Sequence, residues 1–151
     1  MRKTNSDPNT IFMNSKLVAK ISKNRLEEIR ISVLKNNKVD IRTYFYFPQE
    51  NEPKPTKKGV MLSFKYIEQI CGVLEKLVVS PDSAVDVSLE KNEKDELKIY
   101  AADYMGKKLV HIRTFYLREN ELKPGKGIAF GIGLAKDILA ALKESENFRE
   151  K

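Results

Sequence analysis

One heptapeptide occurs twice in this chain. Residues 39–45 read Val-Asp-Ile-Arg-Thr-Tyr-Phe and residues 110–116 read Val-His-Ile-Arg-Thr-Phe-Tyr, identical at four positions and with the two aromatics interchanged. The surroundings repeat in the same order. Each heptapeptide follows a polar turn rich in lysine (Lys35-Asn36-Asn37-Lys38; Gly106-Lys107-Lys108) and precedes an acidic loop. Each loop leads into a basic, proline-containing segment: Lys54-Pro55-Thr56-Lys57-Lys58-Gly59 in the first half, Lys123-Pro124-Gly125-Lys126-Gly127 in the second. A short apolar strand and an amphipathic helix come next in both halves. Self-similarity in this order constrains the chain to fold as two related units.

Hydrophobic periodicity supplies the elements of each unit. Val18–Ser22, Glu28–Leu34 and Val39–Phe47 alternate apolar and polar residues as half-buried strands do, and Val60–Ser63 is a short fourth strand. From Phe64 the spacing turns helical, with Phe64, Ile67, Cys71, Leu74 and Leu77 on one stripe ended by Pro81. The second half offers strands at Ala84–Leu89, Leu97–Ala102, Leu109–Leu117 and Ile128–Phe130, then a helix carrying Leu134, Ile138 and Leu142. Each unit is therefore ββββα. A sheet covered by a single helix leaves surface exposed, and the other unit is its natural cover. The link 78–83 is too short for a flexible tether. The expected fold is α+β: two ββββα repeats whose antiparallel curved sheets pack as an intramolecular pseudo-dimer. Residues 16–80 form the first repeat and 81–145 the second, with a flexible arm over 1–15 and a flexible tail over 146–151.

A length of 151 residues suits one ordinary domain or two small ones sharing a core. The N-terminal region has no apolar run beyond Ile11-Phe12-Met13, which predicts an intracellular protein, cytoplasmic or nucleoid-associated, without membrane contact. The lone Cys71 reads as packing, and with a single histidine beside it a structural zinc site is not expected. Gly125, Gly127, Gly131 and Gly133 do not follow a phosphate-loop pattern and read as bulge, turn and helix-entry residues. No cofactor is expected, and no nucleophile, metal or acid–base constellation points to an enzyme. His111, on the polar face beside Arg113, reads as a surface or nucleic-acid-facing group.

The net charge of +7 is unevenly placed: residues 16–80 hold 13 basic against 7 acidic side chains, residues 81–151 hold 13 against 13. Such an excess attracts polyanions, although it equally serves a solubilising surface. By count, the first half is the stronger electrostatic partner, unless the acidic residues Glu90, Glu93, Asp95 and Glu96 lie away from the second half's groove. Strand alternation puts Lys38, Asp40, Arg42, Tyr44 and Tyr46 on one face, and Val39, Ile41, Thr43, Phe45 and Phe47 on the other. Cations interleaved with aromatics suit an unpaired nucleic-acid strand, whose phosphates need charge and whose bases stack. Paired aromatics in a strand serve sheet packing as well.

The hydrophobic-x-Ile-Arg-x-aromatic-aromatic strand followed by Lys-Pro-x-(Lys/Arg)-Lys-Gly resembles the positive-cofactor-four family of transcriptional coactivators. The resemblance covers roughly 18–77 and 84–144; the first copy fits the motif closely and the second lacks one residue in the basic segment. That family's ββββα subunits pair to grip single-stranded DNA in curved sheet channels. The resemblance implies that Arg42 and Arg113 contact phosphates or bases, with Tyr44 and Phe115 beside them. It further implies that Phe45 and Tyr116 take the place of a stacking tryptophan, where alternation alone would bury Phe45. Tyr104 falls at an aromatic of the preceding hairpin, together with Lys35, Lys38, Lys107 and Lys108. Lys54, Lys57, Lys58, Lys123 and Lys126 fall in the basic segment.

The function expected from this resemblance is non-enzymatic binding of single-stranded DNA by a transcriptional or nucleic-acid-architectural regulator. Single-stranded RNA binding of the Pur type and a protein-interaction scaffold stand as alternatives. Partners would be the strand itself and proteins of the transcription machinery; the tandem chain does within one molecule what a homodimer does with two, and further dimerisation stays open.

Overall fold

A computed structural model describes residues 15–149. In the first unit β1 (Lys16–Ser22), β2 (Glu27–Val33), β3 (Lys38–Phe45) and β4 (Lys54–Ser63) form an antiparallel sheet in sequence order, followed by a 3₁₀ turn and helix α1 (Ile67–Val79). The second unit repeats this with β5 (Asp86–Glu90), β6 (Asp95–Tyr104), β7 (Lys107–Arg118), β8 (Glu121–Gly131) and helix α2 (Ala135–Ser145). The ββββα order is present twice, as the repeat predicts.

The first hairpin of each unit is built the same way. Asn24 Oδ1 accepts from the amides of Leu26 and Glu27, and Asn92 Oδ1 accepts from those of Lys94 and Asp95. An Asn side chain closing a turn on its own backbone fixes where the strand reverses. The second hairpins differ. Asn37 takes a positive φ of 61° after a turn closed by its own amide on the Leu34 carbonyl, whereas Met105 and Gly106 both take positive φ, 50° and 81°, in a tight turn that carries β6 and β7 further out.

β4 and β8 are longer than the apolar runs 60–63 and 128–130 suggest, because both basic segments are strand rather than loop. Arg42 pairs with Gly59 and Tyr44 with Pro55, so four residues on β4 span what two span on β3; Arg113 pairs with Gly127 and Phe115 with Pro124, three against two. These are bulges. Pro55 and Pro124 are tolerated there because β4 and β8 are the end strands of their sheets. The missing residue of the second copy is thus a shorter bulge.

One core serves both units. Ile29, Ile31, Val39, Ile41, Val60 and Leu62 of the first sheet share a single buried cluster with Leu97, Ile99, Val110, Ile112, Ile128 and Phe130 of the second and with both helices. α1 buries Ile67, Ile70, Cys71, Leu74 and Leu77; α2 buries Ala135, Ile138, Ala141 and Leu142. Like elements meet across the middle, β4 with β8 and α1 with α2, and α2 also packs on β1 and β2 of the other unit. Tyr66 donates to the Glu90 carbonyl at 3.5 Å and Lys143 pairs with Glu75 at 2.7 Å, both between units. Among the described residues no helix is long and apolar enough to cross a membrane.

The expected flexible arm, 1–15, lies outside the described residues except for Ser15, and 150–151 of the expected tail do too. The rest of that tail is structured: Glu146–Phe148 form a 3₁₀ turn and Phe148 packs against the core, because its ring has apolar surface to cover there. The second unit therefore extends beyond residue 145.

Candidate nucleic-acid interface

Each sheet turns one face to the core and leaves the other free of it. The cross-strand register of β6 and β7 places three rungs side by side on the second sheet's outer face: Tyr100 opposite His111, Lys98 opposite Arg113, and Glu96 opposite Phe115. Rungs on one face lie ~6.8 Å apart along a strand. The rings of Tyr100 and His111 stack at 4.7 Å and 6° from parallel. Lys98 Nζ lies 5.2 Å from the Phe115 ring, and Phe115 tilts against Tyr100 at 6.4 Å. All six side chains of these rungs are half-buried. Neither Lys98 nor Arg113 has an acidic partner within ion-pair distance among the described residues, although Asp86, Glu90 and Glu96 share this face along the β5 edge. Burial and the neighbouring Arg113 hold the His111 imidazole below its ordinary pKa, favouring the neutral ring that stacks.

The same three rungs of the first sheet hold different chemistry: Ser32 opposite Asp40, Arg30 opposite Arg42, and Glu28 opposite Tyr44. Here both guanidinium groups are occupied. Arg42 bonds Asp40 through Nε at 3.1 Å and Nη2 at 2.9 Å, and Arg30 bonds Glu28 at 2.5 Å. Arg30 also lies over the Tyr44 ring at 4.5 Å, and Tyr46 donates to Glu28. Ser32, Asp40 and Tyr44 are buried, Asp40 to 1 % exposure. Burial pushes the Asp40 carboxyl above the ordinary carboxylate range even though Arg42 pulls it down.

Both motif arginines also reach across to the bulge. Arg42 Nη1 donates to the Thr56 carbonyl at 2.9 Å and Arg113 Nη1 to the Gly125 carbonyl at 3.3 Å. The glycines opposite them make room for this: a Cβ on Gly127 would stand 2.7 Å from Arg113 Cβ and 2.8 Å from the Ile112 carbonyl oxygen.

Phe45 and Tyr116, for which burial and stacking both stood open, lie outside the core cluster. Each shares the parity of the core residues but is half-buried at the strand end. Phe45 packs edge-on against Phe47 at 4.7 Å, and the Tyr116 ring lies over Gly125 with Arg118 at 5.5 Å.

The remaining predicted residues scatter around these faces. Lys35 and Lys38 are exposed at the β2–β3 turn; Tyr104, 63 % exposed, and Lys107 flank the β6–β7 turn. Lys57, Lys58 and Lys126 are exposed on the bulges, while Lys54 pairs with Glu50 and Lys123 with Glu121, each at 3.5 Å. Lys108 is directed elsewhere: its Nζ donates to the carbonyls of Pro81 and Ser83 at 2.7 and 3.4 Å and ties the interunit link to β7. Lys98 and Tyr100 were missed by motif reading because they lie on the neighbouring strand. Their alternation in Leu97-Lys98-Ile99-Tyr100 was the available signal.

Residues 90–145 match the family described as Transcriptional Coactivator p15 (PC4). The match lies in the second unit, whereas the motif alone pointed to the first copy as the closer fit. No match is found among curated protein sequences. Among solved structures, the chain is similar to a PC4 homologue from Burkholderia pseudomallei, with 19 % identity and a TM-score of 0.38 over 43 % of this chain and 92 % of that one.

Proposed function

We propose that this protein binds single-stranded nucleic acid, DNA foremost, without acting on it chemically, as a transcriptional or nucleic-acid-architectural regulator whose two units act as an intramolecular pseudo-dimer. The observation that carries this reading is the outer face of the second sheet, where Tyr100, His111 and Phe115 alternate with Lys98 and Arg113. Ring faces accept unpaired bases regardless of sequence, and cations between them meet the phosphates. The match of residues 90–145 to a coactivator family supports the same reading. A duplex hides its base faces, and neither helix offers a basic stripe for a groove: α1 and α2 carry two lysines or fewer each.

Fluorescence titrations of labelled single-stranded DNA, single-stranded RNA and blunt duplex at two salt concentrations test it. Single-stranded DNA should bind tightest, with log affinity falling by about 0.7 per phosphate neutralised for each decade of salt. Equal affinity for duplex would refute the reading, and tighter binding of RNA would reassign the ligand.

A further inference from the structure

The two outer faces are equivalent in topology and opposite in chemistry. Resting on the reading above, we infer that the second sheet alone is the strand-binding platform, with bases on the Tyr100–His111 pair and on Phe115 and a phosphate between them on Lys98 and Arg113, while the first sheet is closed by its own carboxylates.

The argument is rung by rung. Where the second sheet presents an aromatic pair, the first presents Ser32 and Asp40, with no ring to stack on. Where the second presents Lys98 and Arg113, the first presents Arg30 and Arg42, each held by a carboxylate two residues away on its own strand. A phosphate approaching Arg42 would have to displace Asp40 from a bidentate contact and leave that carboxylate buried without its cation, which is far costlier than meeting an unpaired lysine. Tyr44, opposite Glu28, is buried under Arg30 and offers no open ring face there. Lys20, exposed and opposite Arg30, and Lys38, exposed at the start of β3, are cations of this face outside those pairs.

The count of charges in each half favours the first; their pairing favours the second. Glu90, Glu93, Asp95 and Glu96 gather with Leu117 and Leu122 around a depression at the β5–β6 hairpin, at one end of the platform. With Asp86 they repel phosphates from the β5 edge. The strand is thereby confined to the β6–β8 side, towards the exposed Lys126 on the bulge.

Affinity for labelled oligodeoxythymidine, measured against salt for single substitutions, tests this. Tyr100→Ala and Phe115→Ala should each weaken binding roughly tenfold without changing the salt slope, while Lys20→Ala and Arg30→Ala should change affinity by no more than about twofold. Lys98→Ala should flatten the slope by about 0.7. Photocrosslinking of an iodouracil oligonucleotide to the unsubstituted chain guards against a misfolded variant: adducts should map to Tyr100, His111 or Phe115. Losses from the first-sheet substitutions as large as those from the second, or adducts at Tyr44 or Tyr46, would overturn the assignment while leaving single-strand binding intact. Absence of any binding by the unsubstituted chain would overturn both.

Discussion

Replacing Arg42 by Met should cost far more stability than replacing Arg113 by Met, although the two arginines occupy the same place in the repeat. Arg42 holds a carboxylate with 2 % side-chain exposure and is itself 12 % exposed. Removing the cation strands a buried charge, which costs about 3–5 kcal/mol. Arg113 faces His111, whose depressed pKa keeps it neutral near pH 7, so its loss removes one hydrogen bond to the Gly125 carbonyl, worth about 0.5–1.5 kcal/mol. Urea denaturation at pH 7, comparing midpoints at constant slope, reads the difference directly. Two controls follow from the chemistry. Adding Asp40→Asn to Arg42→Met should recover much of the loss, since the stranded charge is then gone. The folded-state pKa of Asp40 is raised above its unfolded value. The ionised form therefore costs stability as the pH rises through that pKa; without Arg42 the pKa rises further, so the Arg42→Met deficit should shrink as the pH falls towards the unsubstituted chain's value. Equal costs for the two Met variants, or a double variant no better than Arg42→Met alone, would refute the account of the first face as a closed ion-pair network.

Four further outcomes are expected. Residues 16–80 expressed alone should aggregate or self-associate in light-scattering chromatography, because α2 and the second sheet complete the core that the first sheet needs; a folded monomer would contradict the shared core. Gly127→Ala should destabilise by about 1–3 kcal/mol through its contacts with Arg113 and the Ile112 carbonyl. Gly72→Ala, in a helix with nothing within 4 Å of the added methyl, should stabilise by about 0.4–1 kcal/mol, both read from denaturation midpoints. His111, with its pKa depressed in the fold, contributes stability above its unfolded pKa that is lost as the pH falls through the folded one. The midpoint should therefore drop less on acidification in His111→Gln than in the unsubstituted chain.

The element order was legible because hydrophobic alternation and helical spacing are properties of neighbouring residues. The extent of β4 and β8 was not: Lys, Pro and Gly dominate 54–59 and 123–127, and only the bulge opposite Arg42 and Arg113 explains how such residues stay in a sheet. The Asp40–Arg42 contact could be read from their i, i+2 spacing on one strand face. The platform could not, since Lys98 and Tyr100 meet Arg113 and His111 only through the β6–β7 register, which the sequence leaves implicit. Charge counts do not carry this pairing, for a related reason. Glu28 and Asp40 sit where they neutralise the first face, and several acids of the second unit gather at its hairpin.

The most direct test of where the strand lies is a titration of the isotopically labelled protein with oligodeoxythymidine, followed by side-chain and amide resonances. The account predicts that Lys98, Tyr100, His111, Arg113 and Phe115 shift and saturate together at one strand per chain, with Arg30, Asp40 and Arg42 unmoved. Saturation at two strands per chain, or shifts centred on the first sheet, would contradict it.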